Sequence, residues 1–286
     1  MSETKQDVVD RGLTKEPKKA RKAKKVKLPK LTSGWKLFMV SLKDYRKHWQ
    51  KYVLILGVVA VPGNMIAYAY ASSTDQIVTS YVSFASIIMN VAFLWAMTRS
   101  DKTGDMPGLR QAYYEGPAVL VRFVFVSLAL IVFLIPAALG LGLYDAAASS
   151  ASYSNTNSPE LALIGIAALA LCIPTVIFLV RVALAPIAVV YDDSRPMAAL
   201  KLSWRYTKGR YWALMGRFAQ LIVYLLLASL PAALLTSGMS YLGWIAPATI
   251  FFGAATTLIV LPIANRYILT LLQEIRTATD AKDQAE

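Results

Sequence analysis

Long apolar runs alternate with short polar connections along this chain. A membrane helix needs about 20 apolar residues to cross about 30 Å of hydrocarbon. Six runs meet that length, at about 52–71, 78–97, 118–143, 161–181, 212–235 and 243–265. The pattern predicts an all-α protein, a polytopic integral membrane bundle of six transmembrane helices within residues 32–275.

Composition supports the membrane assignment and separates the two ends of the chain. Apolar residues make up 56% and charged residues only 16%, whereas soluble domains carry about 25% charged residues. Residues 1–51 hold 16 Lys and Arg against five acids. We therefore expect residues 1–31 to form a basic, disordered tail, and residues 276–286 to form a second, C-terminal tail.

The loops predict the orientation in the membrane. Segments 72–77, 144–160 and 236–242 contain no Lys or Arg, while the other connections contain nearly all of them. Because loops rich in Lys and Arg stay on the inner side, we expect both termini to be cytoplasmic. The expected location is the plasma or inner membrane.

An internal repeat links the third and fifth runs. Shifting residues 112–140 onto 207–235 gives eight identities in 29 positions. Arg122 then matches Arg217, and Pro136 matches Pro231. With the flanking segments, this predicts three parallel hairpin repeats, all entering from the cytoplasm.

Each predicted repeat begins with a segment typical of an amphipathic surface helix on the cytoplasmic side. These segments are Trp35–Lys51, Leu109–Glu115 and Pro196–Lys208, the last with a predicted N-cap at Asp193-Ser194. Aromatic residues recur in them at helical spacing between basic residues, as in helices that lie among lipid headgroups. The expected anchors are Trp35, Phe38, Trp49, Trp204 and Trp212.

One stretch resembles a known family. Residues Arg181–Gly216 include Asp192-Asp193, the run ALKLSW at 199–204 and the run KGRYW at 208–212. The stretch is similar to the membrane domain of glycerophosphoryl diester phosphodiesterases, which also occurs alone in six-helix bacterial membrane proteins of unknown function. The resemblance implies the six-helix fold but no catalytic residues, because the phosphodiesterase barrel of about 250 residues has no counterpart here.

Few side chains offer chemistry. Cys172 and His48 are the only soft metal ligands, so we expect no metal site, no cofactor and no catalytic residue. The pair Asp192-Asp193 is the candidate for a phosphate-handling activity, and salt bridges are the plainer interpretation. The candidate contacts for a lipid or phosphate are Arg122, Arg181, Arg217 and Arg266.

These features favour a non-enzymatic membrane protein that binds anionic lipid or partner proteins in envelope homeostasis. The alternative is a transporter or permease-like subunit for a small or amphipathic solute, suggested by the repeats and by prolines within the spans. Nucleic acid is a less suitable partner for the tail, because its basic run lacks aromatic residues.

Overall fold

The structure, a computed structural model, describes residues 31–70, 76–154 and 159–283. The predicted basic tail lies outside this part of the chain, except for its last residue. Every regular element within the described ranges is helical. A 3₁₀ turn (Gly116–Val119) and a π-helical turn (Thr256–Val260) occur beside ten α-helices there. The α-helices are α1 (Gly34–Ala69), α2 (Gln76–Thr103), α3 (Leu109–Glu115), α4 (Leu120–Ser154), α5 (Pro159–Val182), α6 (Ala185–Asp192), α7 (Pro196–Thr207), α8 (Tyr211–Tyr241), α9 (Ile245–Ala255) and α10 (Leu261–Asp283).

Six helical segments are long and apolar enough to cross a membrane. Each overlaps one of the predicted spans, so the prediction of an all-α, polytopic membrane protein is confirmed. The segments are Gly34–Ala69, Ser80–Thr103, Leu109–Ser149, Ala162–Asp192, Tyr211–Tyr241 and Pro247–Ala281.

Several helices are longer than the apolar pattern indicates, among them α1 and α4. The predicted surface helix Trp35–Lys51 is not a separate element but the first part of α1, because residues 46–56 contain neither Gly nor Pro to end the helix. Pro62 also lies inside α1. Helix α4 continues to Ser154 through most of the predicted loop 144–160, where four alanines favour helix.

The other two predicted surface segments form short helices of their own, α3 and α7. Helix α7 starts at Pro196, whose fixed φ suits a first helical position. The predicted cap at Asp193-Ser194 is wrong: Arg195 precedes the helix without a side-chain cap, and Asp193 instead follows α6 with a φ of 49°. The position of α3 and α7 at a membrane surface stays a prediction.

The buried core lies towards one end of the bundle. Helix α1 packs against α2, α9 and α10, and α4 packs against α5. Tyr52, Phe93 and Tyr267 are among the largest fully buried side chains, and α6 is buried along most of its length. We call this end the polar end: there α1 and α8 begin, α2 and α10 end, and α6 and α7 lie.

Candidate functional site

A cluster of ionic side chains joins three helices at the polar end. Arg266 of α10 forms a salt bridge with Asp101 of α2, and its Nε lies 3.4 Å from Oδ2 of Asp44 in α1. The side chains of Asp44 and Arg266 are each 17% exposed, and that of Asp101 is 14% exposed. Such shielded charges interact more strongly than exposed ones, so Arg266 ties α1, α2 and α10 together.

Neutral groups complete this cluster. The Tyr52 hydroxyl donates to Oδ2 of Asp44 at 2.5 Å, and Gln273 Nε2 donates to Oδ2 of Asp101 at 2.7 Å. His48 Nδ1 lies 3.4 Å from Oδ1 of Asp44. The two carboxylates and the one guanidinium give the cluster a formal charge of −1.

The adjacent carboxylates Asp192 and Asp193 engage different helices. Asp192 accepts from Arg276 Nη1 of α10 at 2.5 Å, and Asp193 forms a salt bridge with Arg122 of α4. The Asp193 carbonyl also accepts from Arg122 at 3.0 Å, and Lys102 Nζ donates to the Tyr191 carbonyl at 2.6 Å. Cations at the last carbonyls of a helix stabilise it. Arg122, Lys102 and Arg276 therefore hold the end of α6 against its neighbouring helices.

Arg181 lies against an aromatic ring. Its guanidinium carbon is 4.3 Å from the centroid of the Trp204 ring, a cation–π arrangement. The backbone carbonyl of Arg181 accepts from the Ser203 hydroxyl at 2.6 Å. These contacts join the end of α5 to α7.

Arg217, on α8, donates to two neutral acceptors. Its Nη1 donates to Gln220 Oε1 at 3.1 Å, and its Nη2 donates to the Leu31 carbonyl at 3.3 Å. The hydroxyl of Tyr267 donates to the Arg217 carbonyl at 3.2 Å. Arg217 therefore differs from Arg122 although the repeat aligns the two, because no carboxylate of the described residues forms an ion pair with it.

Arg210, just before α8, is a buried arginine that the sequence did not single out. It is 7% exposed, and its Nη1 and Nη2 have no hydrogen-bond partner in the described part of the chain. Burial lowers the pKa of its guanidinium, while the charge of Glu274 raises it. Glu274 Oε1 accepts from the backbone and the hydroxyl of Thr32, and its Oε2 lacks a partner within the same described ranges.

The predicted anchors divide into exposed and packed residues. Trp212 is 75% exposed, Trp35 51%, Trp49 50% and Trp204 39%, whereas Phe38 is half-buried against Tyr224 of α8, with ring centroids 4.9 Å apart. Exposed lysine and arginine side chains lie between them at the polar end: Lys36, Lys43, Arg46, Lys47, Lys201, Arg205 and Lys208.

The described residues contain no group of three or more His, Cys, Asp or Glu arranged to hold a metal ion. Cys172 is half-buried in α5 as a free thiol. The arrangement offers ion pairs between helices and unpaired guanidinium donors.

Comparison with known proteins places the chain in a family. No curated protein matches it, and no solved structure does. A family model described as a domain of unknown function, DUF7847, matches residues 110–279. The match covers more than half of the 286 residues and includes Arg122, Arg181, Arg210, Arg217 and Arg266. This membrane protein belongs to the DUF7847 family.

Proposed function

We propose that this chain is a non-enzymatic integral membrane protein that binds anionic phospholipid at its polar end. The observation that carries the proposal is a group of exposed side chains there, which we call the collar. It consists of Trp35, Trp49, Trp204 and Trp212 together with Lys36, Lys43, Arg46, Lys47, Lys201, Arg205 and Lys208. On α1, Lys36, Lys43 and Lys47 are exposed between Trp35 and Trp49. Tryptophan favours the membrane–water interface, and each basic residue near an anionic surface contributes about 1 kcal/mol.

The orientation belongs to the same proposal. The polar end faces the cytoplasm, because the basic stretch 1–51 includes the first half of α1 at that end. The plasma or inner membrane is the proposed location, and envelope homeostasis, with protein partners besides lipid, is the proposed role. The resemblance of Arg181–Gly216 to the phosphodiesterase membrane domain fits this role, since it concerns the membrane part and not the catalytic barrel.

Native mass spectrometry of the full chain tests the lipid preference. Phosphatidylglycerol and phosphatidylcholine are titrated into the wild type and into a variant with Lys36, Lys43, Arg46 and Lys47 changed to Gln. Removing four charges should lower the retention of phosphatidylglycerol at least about tenfold and leave phosphatidylcholine unchanged.

The matched control exchanges Lys for Arg and Arg for Lys at the same four positions. It keeps every charge, so it should retain phosphatidylglycerol as the wild type does. Equal retention of phosphatidylglycerol by the Gln variant and the wild type would contradict the proposal, and so would a wild type that prefers phosphatidylcholine.

A further inference from the structure

Arginines at the polar end differ in whether a carboxylate balances their charge. Arg122, Arg266 and Arg276 each form an ion pair with at least one Asp. Arg210 and Arg217 form no ion pair with any described residue, although Arg210 is more than nine-tenths buried. A shielded cation that forms no ion pair is unfavourable unless a partner comes from outside the described residues.

The free donors on these two arginines are guanidinium N–H groups. Nη1 and Nη2 of Arg210 and Nε of Arg217 are shielded from solvent and lack an acceptor within the described ranges. Nearly all buried polar groups in proteins are hydrogen-bonded, so each orphan group requires an explanation. Two terminal nitrogens of one guanidinium form a fork that matches two oxygens of a phosphate.

The nearby acceptors leave the charge of the two arginines only partly balanced. Glu274 shares its Oε1 between the backbone N–H and the hydroxyl of Thr32. Arg217 donates to the neutral Leu31 carbonyl and to the exposed Gln220 amide. Arg210, Arg217 and Glu274 together carry a formal charge of +1, which a singly charged phosphodiester would balance.

The position suits a lipid headgroup. Arg210 stands directly before α8, whose N-terminus carries a partial positive charge. Gly209, with a φ of 79°, makes the turn that leads into the helix. Trp212, 75% exposed, and the exposed Lys208 flank this turn, so the guanidinium groups lie beside side chains that suit the interface.

We propose that Arg210 and Arg217 form a specific site for the phosphodiester group of an anionic phospholipid, between residues 31–32, the start of α8 and Glu274. The site rests on the proposed function and goes beyond the collar, whose lysines act as point charges. Nη1 and Nη2 of Arg210 donate hydrogen bonds to two oxygens of the phosphate, and Nε of Arg217 donates to the same phosphate. The exposed side chain of Gln220, which accepts from Arg217, moves aside when the headgroup binds.

The test compares Arg→Lys variants, which keep the charge and remove the fork. Phosphatidylglycerol, phosphatidylcholine and inorganic phosphate are titrated separately into the full-length wild type, Arg210→Lys, Arg217→Lys and the control Arg276→Lys, with native mass spectrometry and thermal shift as readouts. Arg210→Lys should lower phosphatidylglycerol retention about tenfold, and Arg217→Lys should lower it less. Arg276→Lys should match the wild type.

Glu274→Gln separates a lipid site from an internal ion pair. If Arg210 only balances Glu274, Glu274→Gln and Arg210→Lys both lower the melting temperature without changing lipid retention, which overturns the site. If the site binds phosphate, Glu274→Gln retains at least as much phosphatidylglycerol as the wild type, because it removes a competing anion.

The remaining outcomes are also distinct. If inorganic phosphate raised the melting temperature as much as phosphatidylglycerol does, the site would be assigned to free phosphate. The proposal that its ligand is a phospholipid would then be overturned. A wild type that prefers phosphatidylglycerol while Arg210→Lys retains it fully would overturn the site and leave the collar in place. A wild type without that preference would remove the proposed function as well.

Discussion

The Arg266 cluster gives the sharpest prediction about stability. Replacing Arg266 by Gln leaves Asp44 and Asp101 facing each other without a cation, and the formal charge of the cluster falls from −1 to −2. Removing one partner of a buried ion pair costs about 3–5 kcal/mol. Because these carboxylates are 17% and 14% exposed, we expect a loss near the lower end of that range.

Asp44→Asn is the matched control. It brings the cluster to a formal charge of zero and leaves the salt bridge between Arg266 and Asp101 intact. The new amide oxygen can still accept from Tyr52, which donates to the carboxylate at 2.5 Å. We therefore expect a change within about 1 kcal/mol, far smaller than for Arg266→Gln.

The single cysteine supplies the assay. Cys172 is half-buried, so a thiol-reactive dye that fluoresces on reaction reports thermal unfolding in detergent. Arg266→Gln should unfold at a clearly lower temperature than Asp44→Asn at about pH 8. Equal melting temperatures for the two variants would refute the reasoning.

Three further predictions concern packing, topology and the tail. Gly116→Ala should destabilise the protein by about 1–3 kcal/mol, because the new Cβ would lie 2.7 Å from Ala92 Cα. Gly142→Ala is the control: its Cβ would meet nothing within 4 Å, so it should be neutral or stabilising. Thermal unfolding of the two variants compares these effects. Ser150→Cys, in a Cys172→Ser background, should react with an impermeant reagent only from outside the cell, and labelling from the inside of sealed vesicles would contradict the orientation. Deleting residues 1–30 should leave the melting temperature unchanged, because this segment lacks apolar periodicity, and a clear drop would contradict that expectation.

The spans could be predicted from the sequence because hydrocarbon thickness imposes a length on every crossing helix. The same pattern predicts poorly where a helix ends, since a polar segment without Gly or Pro can continue a helix beyond the apolar run. This explains why Trp35–Lys51 is fused with the first span and why α4 reaches Ser154.

The partners of the arginines could not be predicted from the sequence. Arg266 and Asp101 are 165 residues apart, and the packing of both α2 and α10 against α1 brings them together. A signal existed for Asp44, which is the only acid between Glu16 and Asp75 and lies among lysines and arginines. An isolated acid in a basic segment has many cations around it, but charge alone cannot choose among them.

Helix α8 shows why the polar end determines the arrangement of the bundle. In a bilayer the hydrophobic effect does not draw apolar helices together, so close packing and polar contacts must do so. Helix α8 buries only Leu214 and Leu221, both in the half nearer the polar end. Its polar attachments lie in the same half, where Arg217 bonds to Leu31 and Tyr267. A change in charge at this end should therefore move α8 more than an apolar substitution beyond Leu221 would.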